Sequence, residues 1–149
     1  MLKKVLIVSI IFVSLFIIDQ YIKILFVDGY EKEGSCISLV LAYNHGVAFS
    51  MFAFLQEYLK YIQLSIIGAG VVYLIKKKNI FQQYYIPIAL LFAGGFSNIV
   101  DRFHYGAVVD YIYWHCGFDF AIFNFADMII DLSIVIILWI QFKRPLHHE

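Results

Sequence analysis

Four long apolar stretches are the feature of this sequence that most constrains its fold. They run at about residues 5–27, 55–75, 84–103 and 121–142. A helix that crosses a bilayer needs about 20 mostly apolar residues, and each stretch is close to that length. Only 15% of the 149 residues are charged, whereas soluble domains carry about 25%. We therefore predict an integral membrane protein with four transmembrane helices.

The N-terminal stretch has two interpretations. Lys3 and Lys4, followed by an apolar run, also fit a secretory signal peptide. No small-x-small cleavage motif follows, because the next residues are IIDQYIK. We therefore interpret this stretch as an uncleaved first membrane helix, and residues 1–149 as a single membrane-embedded domain.

Basic residues cluster at one end of every predicted helix. They are Lys3 and Lys4 before helix 1, Lys76, Lys77 and Lys78 between helices 2 and 3, and Lys143 and Arg144 after helix 4. With four spans these groups share one side of the membrane, which the positive-inside rule makes cytoplasmic. Both termini are thus predicted to be cytoplasmic. The net charge of +0 gives no general signal for nucleic-acid binding.

The first outer segment has the composition of short strands. SCISLVLAYNHGVAFSMF is rich in β-branched and aromatic residues, with Gly34 and Gly46 as turn signals. The predicted class is an all-α membrane protein, with four transmembrane helices and a small β-rich extracytoplasmic segment between helices 1 and 2. Cys36 and Cys116 have no metal or redox-motif spacing, so we expect free thiols. A disulfide is the alternative if both face an oxidising compartment.

Polar residues inside the apolar stretches gather near the predicted outer end of the bundle. They are Asp19, Lys23, Asn98, Asp101, Arg102, Asn124, Asp127 and Asp131, and Asp110 follows in the second outer segment. An unpaired ionisable residue within a membrane helix costs several kcal/mol, so such residues indicate a functional site.

Several of these residues also have a structural interpretation. Asp19 and Lys23 are four residues apart on one helical face and can pair with each other. Lys23 can instead extend its ammonium group to the headgroup region. Asn98 and Asn124 can hydrogen-bond between helices.

The same holds for two further charged positions. Arg102 can extend to the interface or pair with its neighbour Asp101. Asp131 lies one turn from Asp127 on the same helical face. We expect Asp131 to form hydrogen bonds in the bundle interior rather than to take part in catalysis.

Asp110 and Asp127 are the hardest pair to explain by structure alone. Two carboxyl groups close together in a low-dielectric site do not both ionise easily, so they hold one shared proton near neutral pH. The charged member can then deprotonate a water while the protonated member polarises a peptide carbonyl. From the residues alone, a proton or cation relay fits the pair equally well.

Other chemistries lack their motifs. His45, His104 and His115 are scattered and form no HExxH pair, so we predict no metal site. No GxSxG or Cys–His motif surrounds a nucleophile.

Five ordered blocks carry a resemblance to a known family. They are DQYIK at 19–23, YNHGVAFS at 43–50, GGFSNIVDR at 94–102, GAVVDYI at 106–112 and FNFAD at 123–127. In this order they resemble lipoprotein signal peptidase, the type II signal peptidase of bacteria, over nearly the whole chain. Three residues depart from the family pattern: Ser97 for a glycine, Val47 for an alanine and Asp131 for a small hydroxyl residue.

The resemblance implies an aspartic endopeptidase without a cofactor, whose catalytic dyad is Asp110 and Asp127. The implied substrate is a diacylglyceryl-modified prolipoprotein, cut just before its lipidated cysteine. The positions implied to shape the site or bind substrate are Asp19, Lys23, Asn44, Asn98, Arg102 and Asn124. The enzyme would lie in the bacterial cytoplasmic (inner) membrane with its site near the outer face, and globomycin-type inhibitors would occupy the dyad. We expect a monomer that contacts membrane lipid and no nucleic acid.

Two functions from other classes stay open on the residues alone. One is a small transporter or proton channel that uses the intramembrane acids as a relay. The other is a non-enzymatic scaffold that binds lipoproteins.

Overall fold

The computed structural model describes residues 1–46 and 52–143, so Val47 and Arg144 of the sequence analysis lie outside the described residues. The helices are α1 (Leu2–Val27), α2 (Gln56–Lys76), α3 (Lys78–Tyr105) and α4 (Phe125–Lys143). The strands are β1 (Ile37–Asn44) and β2 (Val108–Trp114), and a short 3-10 turn at Ala53–Leu55 leads into α2. Each of the four helices is long and apolar enough to cross a membrane, which confirms the predicted class.

The third helix is the centre of the bundle, because α3 packs against each of the other three helices. Its middle presents small residues, and a Cβ placed on Gly94 would lie 2.5 Å from the carbonyl oxygen of Ala126. Backbones approach this closely in membrane bundles only where residues are small. The start of α4 is therefore held directly against α3.

The bounds of α3 differ from the prediction. The helix begins at Lys78, and the predicted start near residue 84 is a kink, where Tyr84 has the non-helical angles φ −113° and ψ 17°. Pro87 lies just beyond the kink. A proline has no N–H to donate and its ring clashes with the carbonyl four residues earlier, which explains the interruption.

The β-rich segment predicted after α1 is confirmed as β1, but its partner comes from elsewhere in the chain. β1 pairs antiparallel with β2, which lies between α3 and α4. The register runs from Ile37 opposite Trp114 to Asn44 opposite Val108, with an irregularity between Leu39 and Ala42. An extra residue in one strand bends and twists it, and such bulges are frequent next to active sites.

The expectation of free thiols is wrong, because a disulfide joins Cys36 and Cys116. The residues lie just outside the first pair of the ladder and their Cα atoms are 4.5 Å apart. Strand pairing therefore brings together two cysteines separated by 80 positions in the chain.

Candidate active site

The chain between β2 and α4 returns alongside β2 and places the two candidate catalytic aspartates next to each other. Phe123 forms an antiparallel bridge with Ile112, through N–H···O bonds of 2.8 and 3.1 Å. The next residue, Asn124, donates from Nδ2 to Oδ1 of Asp110 at 2.7 Å. Asp110 of β2 and the first turn of α4 are thus joined by one side chain.

Asn124 also explains why α4 begins at Phe125 rather than near residue 121. Its Oδ1 accepts from the N–H of Asp127 at 2.9 Å, and Asp127 Oδ2 accepts from the N–H of Asn124 at 3.2 Å. This reciprocal arrangement is a capping box, which fixes a helix start. The carboxylate of Asp127 is therefore held at the positive end of the helix dipole.

The other N–H groups of the first turn are bound by side chains from two further elements. Phe125 donates to Tyr111 Oη at 3.1 Å, and Ala126 donates to Asp19 Oδ1 at 2.9 Å. Such groups have no partner within their own helix. The position of Asp127 is consequently set by β2, α1 and its own cap.

Asp110 is 1% exposed and accepts hydrogen bonds on both carboxylate oxygens. Asn44 of β1 donates to Oδ2 at 3.1 Å, and Asn124 donates to Oδ1. Burial, together with the charge of Asp127, raises the pKa of Asp110 to about 7, although the bonds from Asn44 and Asn124 act in the opposite direction. Near neutral pH this carboxyl group can therefore both hold and release a proton.

Asp127 and Asp110 line the same cavity, whose volume is about 370 Å³. Asn98 of α3 donates from Nδ2 to Asp127 Oδ1 at 2.9 Å, while Asp127 Oδ2 faces the N–H of Asn124. The polar residues that line the cavity are Asn44, Gln63, Asn98, Arg102, Asp110, Asp127 and Asp131. A second, open cavity of about 410 Å³ also includes Asp110 and Asn44, so the accessible space continues along β1.

Behind the cavity lies a buried charge cluster. Lys23 Nζ is 2.7 Å from Asp19 Oδ2 and 2.6 Å from Asp101 Oδ2, and it donates to Asn98 Oδ1 at 2.8 Å. The predicted pairing of Asp19 with Lys23 is confirmed. The alternative ion pair between Arg102 and Asp101 is wrong, because Asp101 binds Lys23.

Arg102 holds the end of β1 at the mouth of the cavity instead. Its guanidinium donates to the carbonyl oxygens of Gly46 and, at 3.4 Å, Asn44. Its Nε donates to Gln63 Oε1 at 3.0 Å. Sequence reasoning missed Gln63, although a lone amide in the apolar run YIQLSII of α2 is a detectable signal.

The structure brings all of the predicted site residues into one connected network. Hydrogen bonds and ion pairs link Asp19, Lys23, Asn98, Asn124, Asp127, Asp110, Asn44 and Arg102. The expectation that Asp131 forms hydrogen bonds in the bundle interior is wrong, because its side chain is exposed and lines the cavity. The buried face of α4 is that of Ala126, Ile129 and Ser133.

Comparisons with known proteins agree on one family. The family model described as "Signal peptidase (SPase) II" matches residues 11–143. The lipoprotein signal peptidase of Wolinella succinogenes is 52% identical over 134 residues, covering 90% of this chain and 92% of its own length. The lipoprotein signal peptidase of Sulfurimonas denitrificans is 57% identical over 130 residues, covering 87% of this chain and 84% of its own length.

A solved structure extends the likeness to the fold. A bacterial membrane enzyme determined by the in meso method superposes with a TM-score of 0.77 at 28% identity, covering 95% of this chain and 93% of that one. Sequence and fold therefore agree, and this chain belongs to the signal peptidase II family.

Proposed function

We propose that residues 1–149 form a single membrane-embedded peptidase domain that removes the signal peptide from diacylglyceryl-modified prolipoproteins, cutting before the lipidated cysteine. The observation that carries this proposal is that Asp110 and Asp127, from two separate elements, line one cavity. The curated relatives are named lipoprotein signal peptidases. Family and geometry thus support the same reaction.

The proposed mechanism uses the two aspartates as an acid and a base. Near neutral pH the pair holds one proton, consistent with a pKa of about 7 for Asp110. The charged carboxylate takes a proton from a water, whose oxygen attacks the scissile carbonyl carbon, and the protonated carboxyl donates its proton to the carbonyl oxygen. The tetrahedral diol then collapses: the carboxyl group that took the water's proton gives it to the leaving nitrogen as the C–N bond breaks. One hydroxyl of the diol returns its proton to the other carboxylate, which restores the starting state of the dyad.

The surrounding residues have positioning roles in this proposal. Asn98 and Asn124 orient the two carboxylates through the bonds described above. Asn44 and Arg102 fix the rim formed by the end of β1. Asp19 and Lys23 lie behind the cavity, where they act on the fold of the site rather than on substrate.

The proposed location is the bacterial cytoplasmic membrane, with both termini cytoplasmic and the dyad near the outer face. Lys4 Nζ donates to the carbonyl of Gln82 at 2.8 Å, which places the start of α1 beside the start of α3. The disulfide between Cys36 and Cys116 closes the sheet that holds Asp110. Disulfides persist in oxidising compartments, which supports the outer side for the active site.

This location suits a lipid-anchored substrate. Its diacylglyceryl chains would stay in the bilayer, so the partners in this proposal are the prolipoprotein and membrane lipid. Globomycin-type inhibitors would compete by occupying the cavity at the dyad. We propose that the protein acts as a monomer.

Cleavage of a diacylated prolipoprotein, followed by gel shift, tests the proposal. Purified wild-type protein is expected to cleave and to be inhibited by globomycin. Asp110→Asn and Asp127→Asn are each expected to lose at least about 1,000-fold in rate, because an amide cannot exchange the proton.

Thermal melting in detergent serves as the control for folding of both variants. A variant that melts like the wild type but does not cleave supports the dyad. Full cleavage by either variant would overturn it.

A further inference from the structure

Each candidate catalytic aspartate directly follows a residue whose backbone N–H is bound by a buried carboxylate. The N–H of Val109, just before Asp110, donates to Asp101 Oδ2 at 3.2 Å. The N–H of Ala126, just before Asp127, donates to Asp19 Oδ1 at 2.9 Å. The two segments that carry the dyad are thus anchored in the same way on two different helices.

One lysine connects the two anchors. Lys23 Nζ contacts Asp19 at 2.7 Å and Asp101 at 2.6 Å, and the side chains are 1%, 0% and 0% exposed. The same ammonium group donates to Asn98 Oδ1, and Asn98 in turn donates to Asp127. The lysine is therefore linked to both aspartates of the dyad, through each anchor and through Asn98.

The remaining oxygens of the anchors are also bound, so neither carboxylate can rotate freely. Ser97 Oγ donates to Asp19 Oδ2 at 2.6 Å, and Gln20 Nε2 donates to Asp101 Oδ1 at 2.8 Å. The residues around the cavity do not include Asp19, Lys23 or Asp101. Their effect on catalysis must pass through the backbone they hold.

We propose that Asp101 is a positioning residue for Asp110, and that the bridge Asp19–Lys23–Asp101 sets the distance between the two carboxyl groups of the dyad. This inference rests on the proposed function of Asp110 and Asp127. Two carboxyl groups share one proton only while they are close together, so the dyad needs a frame that holds its members in place. A buried ion pair usually adds little net stability over an apolar replacement, whereas it does fix geometry.

Asp101→Asn tests the inference without leaving an unbalanced charge, because Lys23 keeps Asp19 as its partner. We expect kcat to fall about 10- to 100-fold, the scale of a displacement near 1 Å in an active site. KM should change by less than about threefold, since Asp101 lies outside the cavity. Asp19→Asn, which leaves Lys23 paired with Asp101, should show the same pattern.

The pH profile separates positioning from general loss of structure. When the anchor is weakened, Asp110 and Asp127 move apart and the charge of Asp127 raises the pKa of Asp110 less. In the pH profile of kcat, the fall at high pH (the alkaline limb) reflects loss of the proton from Asp110. This alkaline limb should therefore shift to lower pH in Asp101→Asn. The matched control is Ile129→Ala, which removes buried apolar side-chain volume from α4 beside Gly94 and changes no charged or hydrogen-bonding group. Its stability should fall while the alkaline limb stays in place.

The outcomes distinguish this inference from the proposed function. If Asp110→Asn is inactive but Asp101→Asn keeps the wild-type kcat and alkaline limb, the inference alone is overturned. A lower kcat in Asp101→Asn with an unmoved limb, as in Ile129→Ala, would also overturn it. If Asp110→Asn cleaves normally, the proposed function itself fails.

Discussion

The two ends of α3 are buried in different ways. Toward its start the buried residues are apolar or small, such as Ile88, Ala89 and Ala93. Toward its end they are polar, namely Ser97, Asn98, Asp101 and Arg102. Within lipid, apolar burial between helices gives little driving force, so the first region needs only close packing. The second region needs a partner for every polar group, and this requirement determines the position of each side chain.

The first helix shows the same division even more sharply. The buried residues of α1 are Asp19, Lys23 and Phe26, whereas apolar residues such as Leu6 and Ile10 are exposed on the bundle surface. Its buried side chains therefore all lie toward the polar end. In a bilayer the exposed apolar surface would face lipid, where it needs no protein partner.

Gly94 lies between the apolar and the polar part of α3. Among changes that test this comparison, Gly94→Val is expected to have the largest effect. Added side-chain atoms would lie 2.5 Å from the Ala126 carbonyl oxygen and 2.8 Å from Ile130 Cγ1. Overpacking lowers the free energy of unfolding by about 1–3 kcal/mol, and here it would push α3 away from α4. Because Asp127 follows Ala126, we expect about 100-fold lower cleavage as well as a lower melting temperature.

Gly68→Val in α2 is the matched control, since no atom of the described residues lies within 4 Å of the added Cβ. Cleavage by this variant should stay within about threefold of wild type. If Gly94→Val and Gly68→Val behaved alike, close packing of α3 on α4 would not set the position of Asp127.

A smaller effect, confined to the polar end, is expected for Asn44→Ala. The side chain of Asn44 donates to Asp110 Oδ2, which favours the charged carboxylate and so keeps its pKa from rising further. Without this bond the pKa of Asp110 should rise above about 7. The alkaline limb of kcat should then move up by about 1 pH unit, as expected for one hydrogen bond to a charged group.

The pH dependence of kcat for Asn44→Ala and for Tyr43→Phe measures this effect. Tyr43→Phe changes the neighbouring residue of β1 but keeps the ring that packs against Tyr105. If the alkaline limb of kcat stays in place in Asn44→Ala, or moves to lower pH, the hydrogen bond from Asn44 does not control the pKa of Asp110.

The sequence predicted the apolar region better than the polar one. Helices long enough to span a bilayer follow from local composition, and so does the strand tendency of β1. The gathering of Asp19, Asn98 and Asp127 at one level follows from four antiparallel spans of similar length. These features need no knowledge of which side chains touch.

What the sequence did not predict depends on contacts between distant positions. The ion pair of Lys23 with Asp101 and the disulfide of Cys36 with Cys116 require the helices and strands to be in place first. The predicted start of α4 near residue 121 is wrong because the apolar residues AIF at 121–123 precede the helix, and the cap that Asn124 and Asp127 form sets its first residue. The strand β2 was missed although VVDYIYW is rich in β-branched and aromatic residues.

The smallest effect is expected at Asp131, which lies about 6 Å deeper than Asp127 along α4, one helical turn toward the apolar region. Its exposed side chain lines the cavity, and no hydrogen bond or ion pair joins it to the rest of the described chain. Asp131→Ser should therefore retain cleavage within about threefold, because no bond of the polar network is lost. Leu132→Ser, at an exposed apolar position next to it, is the matched control. Complete loss of cleavage in Asp131→Ser alone would extend the polar site by one turn of α4 and shift the boundary between the two regions.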